Sequence, residues 1–198
     1  MQEPEKNRIL NMNNIKDIKI TKVVNPKVDN IYTLTYTENG RKKSKEVSKG
    51  ALNIVKILLY HKEKNAFVLI RQFRPLVYIN NPQFANRYEL CGGREDKQGL
   101  SSLEIAKEEV LEECGYKVDT LEHITTFITT AKMTLFFGIV DESMRVNKGG
   151  GIDDEDIELI YLPLNKAKEF ILNPKYPKRP AMAFSIMWFF NIKESFNF

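Results

Sequence analysis

A chain of 198 residues, 42% hydrophobic and 11% aromatic, is the size of one ordinary domain and has enough apolar side chain for a core, which excludes a disordered or fibrous protein. Its net charge of +4 is mild and its 30 basic residues are dispersed, which argues against a nucleic-acid-binding stripe. Two cysteines, Cys91 and Cys114, form no CxxC pair and exclude a disulfide framework, and no run approaches the roughly 18 apolar residues of a membrane span.

Both thiols are expected to be reduced, as in a cytoplasm. The opening residues, MQEPEKNRIL, carry acids and no apolar stretch, so no signal peptide is expected. From Asp17 to Val47 the segments DIKITKVV, NIYTLTYTEN and KKSKEV alternate and are rich in β-branched residues, with a hairpin signal at Asn39-Gly40. Residues 1–48 are therefore read as a small antiparallel β unit. It is too small to bury a core alone and is expected to pack on the rest of the chain or on a second subunit. LNIVKILLYH and NAFVLIRQFRP predict two strands around a charged turn at 62–65. A loop over 76–86 and a short strand, RYEL, lead to Gly92 and Gly93. Ser101 to Cys114 predicts a helix, capped by Ser101 or Ser102 and ended by Gly115. HITTFITT, MTLFFGIV and IELIYLPL predict further strands, with a loop over 147–156 that carries three successive glycines and then acids. Leu164 to Leu172 and Pro180 to Ile192 predict the last helices. Strands on both sides of one central helix make an α+β layered domain.

The central helix carries the chemistry. Leu103, Ala106, Val110 and Cys114 share one face and are expected in the core. Glu109, Glu112 and Glu113 fall within about 100° of arc beside it, with Glu108 next to them. The like-charge pairs Glu109–Glu113 and Glu108–Glu112 each cost roughly 0.2–0.5 kcal/mol. The helix dipole disfavours anions so close to its C-terminus, and Lys107 points elsewhere on the wheel. A hard divalent cation would neutralise the cluster, and Mg²⁺ accepts one or two carboxylates together with substrate phosphates.

With Gly92 and Gly93 before the helix and Gly115 after it, this segment resembles the box of the Nudix hydrolases, G-x5-E-x7-R-E-U-x-E-E-x-G-U, in which U is a large apolar residue. Glu109, Val110, Leu111, Glu112, Glu113, Cys114 and Gly115 match E-U-x-E-E-x-G, and Tyr116 takes the last place. Gly93 is the first glycine if the loop holds one extra residue. Leu100 stands where the family has its early glutamate, and Glu108 where it has arginine; in the family these two look like structural partners that hold the loop. The resemblance implies a Nudix α/β/α sandwich over 49–198, behind the β unit of 1–48. It implies Mg²⁺, or Mn²⁺ in its place, on the carboxylates of Glu109, Glu113 and Glu112 and on the backbone carbonyl of Gly92.

VLIRQFRP, RYELCGG and the acidic loop extend the likeness to the ADP-ribose and UDP-sugar diphosphatase branch. That implies hydrolysis of the diphosphate bond of a small nucleotide sugar, UDP-glucose-like or ADP-ribose, to a nucleoside monophosphate and a sugar phosphate. Glu155 and then Asp153 are the expected catalytic bases, beside Glu112. Arg74 and Arg87 are the expected phosphate-binding residues, arginine being suited to phosphate by its planar, permanently charged fork. Arg71, three residues from Arg74 on one strand, is expected to face the other way. The branch implies a homodimer in the cytoplasm, with no nucleic-acid or membrane partner. The alternative function is a non-catalytic, nucleotide-sensing Nudix module, favoured by Leu100 and Glu108 and opposed by the intact acids.

Overall fold

A computed structural model describes residues 30–38, 41–49, 52–152 and 155–196. The DIKITKVV segment, the Asn39-Gly40 turn and Asp153 lie outside these. Strands β1 (Asn30–Glu38) and β2 (Arg41–Lys49) pair antiparallel, from Asn30 opposite Lys49 to Glu38 opposite Arg41. They form a two-stranded sheet of their own, as the alternating segments predict.

The second sheet has six strands: β3 (Ile54–His61), β4 (Ala66–Phe73), β5 (Asn86–Glu89), β6 (Glu122–Ile128), β7 (Lys132–Val140) and β8 (Ile157–Pro163). β3 and β7 run parallel, and the other pairs are antiparallel. β4 holds β8 along one edge. Along its other edge it changes partner, from β3 at residues 66–68 to β5 at residues 70–73. β3 leaves β4 at that point and is met by the chain that follows β5, where Val55 N–H donates to Gly93 O and Ile57 N–H to Cys91 O. The predicted loop over 76–86 holds a short helix, α1 (Pro75–Asn80), and a 3₁₀ turn, Pro82–Phe84. Proline at the first position of each suits such starts.

Alternation along the strands sends side chains to two cores. Val55, Ile57 and Leu59 of β3 pack with Ile105, Ala106, Val110 and Cys114 of the central helix. Leu58, Phe67 and Leu69 pack on the other face with Ala167, Phe170 and Ile171 of α3 (Leu164–Leu172) and Met182 and Ile186 of α4 (Pro180–Phe196). The result is an α/β/α sandwich. Among the described residues no helix is long and apolar enough to cross a membrane. Cys91 and Cys114 are free and buried.

The central helix starts as α2 (Ser102–Glu109). Ser101 is its cap, with a reciprocal bond from Glu104. Ser102 instead bonds Glu95. The helix then widens to a π turn, Val110–Cys114, and stops at Gly115, whose φ of +77° is left-handed. Leu103 was expected in the core but is 37% exposed, and Ile105 takes that place. A wheel for a uniform helix misassigned it, because the π turn breaks the 3.6-residue period between the first turn and the last.

The glycines of residues 149–151 seal the helix end. Gly150 and Gly151 N–H groups donate to the carbonyls of Glu113 and Glu112. These carbonyls are among those a helix end leaves without partners. A Cβ on Gly149 (φ +66°) would stand 2.4 Å from Glu113 O, whereas one on Gly99 (φ +85°) would meet nothing within 4 Å. Gly149→Ala is therefore expected to lower the melting temperature through strain and a backbone clash, at a cost on the order of 2–4 kcal/mol. Gly99→Ala carries the dihedral strain alone, about 1 kcal/mol. Equal thermal shifts for the two would show that the close approach at Gly149 is not tight.

Candidate active site

The fork between β3 and β4 sets the site. Gly92 (φ +131°) lies so close to β3 that a Cβ would stand 2.2 Å from Val55 O. Its N–H donates to Oε2 of Glu113 at 2.7 Å. Gly93 faces Glu109, and a Cβ there would stand 2.2 Å from Oε1 of that carboxylate. The two glycines therefore form a cradle in which side-chain carboxylates lie against backbone. Cys91 Sγ adds a bond to the carbonyl of Glu109.

The electrostatics follow from crowding. Burial, then the charges of Glu113 and Glu112, push the Glu109 carboxyl up from 4.5 to about 7. Glu113 is 6% exposed, and burial pushes it up, opposed by Lys56 and the Gly92 N–H. Glu112 is half-buried at the rim, 3.3 Å from Lys97 Nζ. Lys97 also pairs with Glu108 at 2.6 Å. That pair answers the departures at Leu100 and Glu108. The loop and the helix are joined there by a cation from the loop and an anion from the helix. Glu109 and Glu113, both pushed towards protonation against the glycine cradle, with Glu112 near them at the rim, are a donor set that fits a hard divalent cation, which takes one or two carboxylates from a protein.

Of the predicted base residues, Asp153 lies outside the described residues. Glu155 follows the glycine loop and accepts a long 3.4 Å bond from Ile152 N–H. Its charge acts on both Glu113 and Arg74, so the loop brings it to the same site.

Arg74 and Arg87 come together on one carboxylate, Glu89, which is 1% exposed. Arg74 donates through Nε and Nη2 to its two oxygens, at 2.7 and 2.9 Å. Arg87 donates from Nε and Nη2 to Oε1, at 3.0 and 2.9 Å. Arg179 Nε stands 3.9 Å away. Burial pushes the Glu89 carboxyl up, but Arg74, Lys56 and Arg87 outweigh it and hold it at about 2. Arg71 faces away, paired with Glu158 of β8, as its spacing from Arg74 predicts. Arg87 and Arg179 also line a cavity of about 470 Å³ with Phe84, Tyr176 and Lys178. Tyr88 is core, edge-on to Phe170.

Sequence reasoning missed Glu89, Lys97, Arg179 and Lys56. A lysine inside the apolar run IVKILLY was a readable signal for the last. At the far end of β3, His61, Glu63 and Glu142 also gather, but the Lys64 ammonium is paired with Glu142 there.

No family model matches the chain. It is 33% identical over 193 residues to the uridine diphosphate glucose pyrophosphatase of Bos taurus, an alignment spanning 80% of this chain and 86% of that protein. It is 37% identical over 116 residues to the GDP-mannose pyrophosphatase of Pectobacterium atrosepticum, spanning 56% of this chain and 59% of that protein. An ADP compounds hydrolase of known crystal structure shares the fold, with a TM-score of 0.66 over 88% of this chain and 91% of that one, at 15% identity.

The raised Glu109 carboxyl makes the metal-free protein pH-sensitive. Its folded pKa lies above the unfolded one, so the stability it leaves intact below pH 4.5 is lost as pH rises through about 7. Glu109→Gln is expected to stabilise the metal-free protein above that pH by on the order of 1–3 kcal/mol and to change little below pH ~4.5. Thermal melts in EDTA on both sides of the window test this, and a destabilised Glu109→Gln at the higher pH would refute it.

Proposed function

The chain belongs to the Nudix hydrolase family, and from that premise we propose that it is a divalent-metal-dependent diphosphatase that hydrolyses a nucleoside diphosphate sugar to a nucleoside monophosphate and a sugar phosphate. The observation that carries this reading is the cradle at Gly93, where Glu109 is held against backbone beside Glu113 and Glu112. A UDP-sugar is the proposed substrate class, because the relative aligned over most of its length is named for UDP-glucose. GDP-mannose, after the second relative, and ADP-ribose are the comparisons to run beside it.

Glu109, Glu112 and Glu113 would hold Mg²⁺, with Mn²⁺ as the substitute. When bound, the ion supplies charge neutralisation at the phosphoryl oxygens, a lowered water pKa and orientation of the leaving phosphate. Arg74 and Arg87 bind the diphosphate. Each guanidinium has five N–H donors and spends two of them on Glu89. Glu89 thereby presets their orientation before substrate arrives. Glu155 takes the proton of the attacking water, with Asp153 as the second choice. Its electrostatic coupling to Glu113 supports this role. Residues 1–48 are proposed to serve a homodimer, supported by a β ladder that forms a sheet of its own. A cytoplasmic location is proposed from the two free thiols.

The test is release of nucleoside monophosphate from UDP-glucose, GDP-mannose and ADP-ribose, with Mg²⁺ and with EDTA. Mg²⁺-dependent release is expected, with the highest kcat/KM on the UDP-sugar. Glu155→Gln is expected to lower kcat by roughly 10²- to 10⁴-fold. Arg87→Ala is expected to act mainly on KM. Nucleotide binding without release, in folded and metal-loaded protein, would leave a sensing module instead.

A further inference from the structure

Lys56 is a buried lysine, 8% exposed. On β3 it has the parity of Leu58, on a strand face otherwise given to the α3 and α4 core. Its ammonium donates to the carbonyl of Gly92 at 2.5 Å, and at 3.4 Å to that of Leu90. Its charge acts on Glu89, Glu109 and Glu113 together. The Gly92 carbonyl has little freedom to turn. The peptide groups around it are tied to β3 through Val55 N–H and Ile57 N–H, and its own N–H is held by Glu113. Gly92 thus links an ammonium on its oxygen to a carboxylate on its nitrogen.

A backbone oxygen that already carries an ammonium is a poor ligand for a divalent ion, because the two cations repel at that distance. A buried lysine also has a cost unless anions surround it, and here they are the carboxylates of the site. We infer that Lys56 is a resident cation of the carboxylate site: it occupies the Gly92 carbonyl, so that the divalent ion is held by the side chains of Glu109, Glu112 and Glu113 with no backbone ligand. This inference rests on the metal-binding reading of those three glutamates. Lys56 is a positioning residue in it, since it bonds the carbonyls of Gly92 and Leu90 beside the ligand set and not the substrate.

The deciding experiment is a crystal structure of the unaltered chain with Mn²⁺, the ion located by its anomalous signal. The expected result is Mn²⁺ on the glutamates, Lys56 Nζ still on Gly92 O, and Gly92 O beyond coordination distance. Mn²⁺ bound to Gly92 O with Lys56 swung away would overturn the inference. Absence of Mn²⁺ from all three glutamates would instead defeat the metal-binding reading itself, so the two failures are distinct. Titration with Mn²⁺ gives a second readout. Lys56→Met removes a like charge and uncovers the carbonyl, so it is expected to bind Mn²⁺ about tenfold tighter or to take up a further ion, while Lys56→Arg stays near the parent. A cooperatively melting Lys56→Met with unchanged affinity and stoichiometry would also overturn it. Should that variant not fold, the Mn²⁺ structure decides alone.

Discussion

β4 keeps β8 along one edge and exchanges β3 for β5 along the other, and the proposed chemistry sits in the fork this opens. A strand that loses its partner leaves backbone donors to be satisfied, and the chain at 91–93 supplies them from Cys91 O and Gly93 O. That approach admits no side chain at Gly92. The same bareness at Gly93 makes room for a carboxylate. The helix over the fork can then carry acids where a helix end would normally disfavour them.

Two opposed charge clusters result. Glu109, Glu112 and Glu113 form an anionic wall, with Glu155 in electrostatic reach of it. Arg74 and Arg87 form a cationic one, organised by Glu89 and joined at longer range by Arg179. Arg74 belongs to both fields, since it is fixed by Glu89 yet feels Glu113 and Glu155. Such a buried carboxylate with several arginines is weak grounds for stability in itself. Its physical value lies in the fixed directions it imposes on the guanidinium planes.

Much of this was legible in the residues. The strands over 54–73 and 122–163, the capped helix and its glycine stop all appear where alternation, Ser101 and Gly115 predict them. The period places Glu109, Glu112 and Glu113 on one side of the helix, and the flanking glycines and the likeness to the family's box single them out. What was not legible depends on contacts distant in sequence. Leu103 follows the apolar period yet lies outside the core, because the π turn at Val110–Cys114 shifts the later residues. Leu100 and Glu108 looked like a lost pair, and only the folded loop brings Lys97 to Glu108. Glu89 is an unremarked letter in RYEL until two arginines close on it. Lys56 interrupts an apolar strand, and its reason is a carbonyl 36 residues away.

The glycine loop has a further effect on the acid it carries. Gly150 is pinned twice, by its N–H to Glu113 O and by its carbonyl to Ile157 N–H, and Gly151 N–H is held by Glu112 O, so Glu155 lies between two points fixed beside the helix end. That short leash keeps Glu155 close to the helix end. Confinement of this kind acts as a high local concentration, in the manner of a short tether between two binding partners. Lengthening the leash would dilute the carboxylate without altering its chemistry, since loop closure becomes slowly more costly as residues are added. The anchor at Gly150 is made from backbone alone.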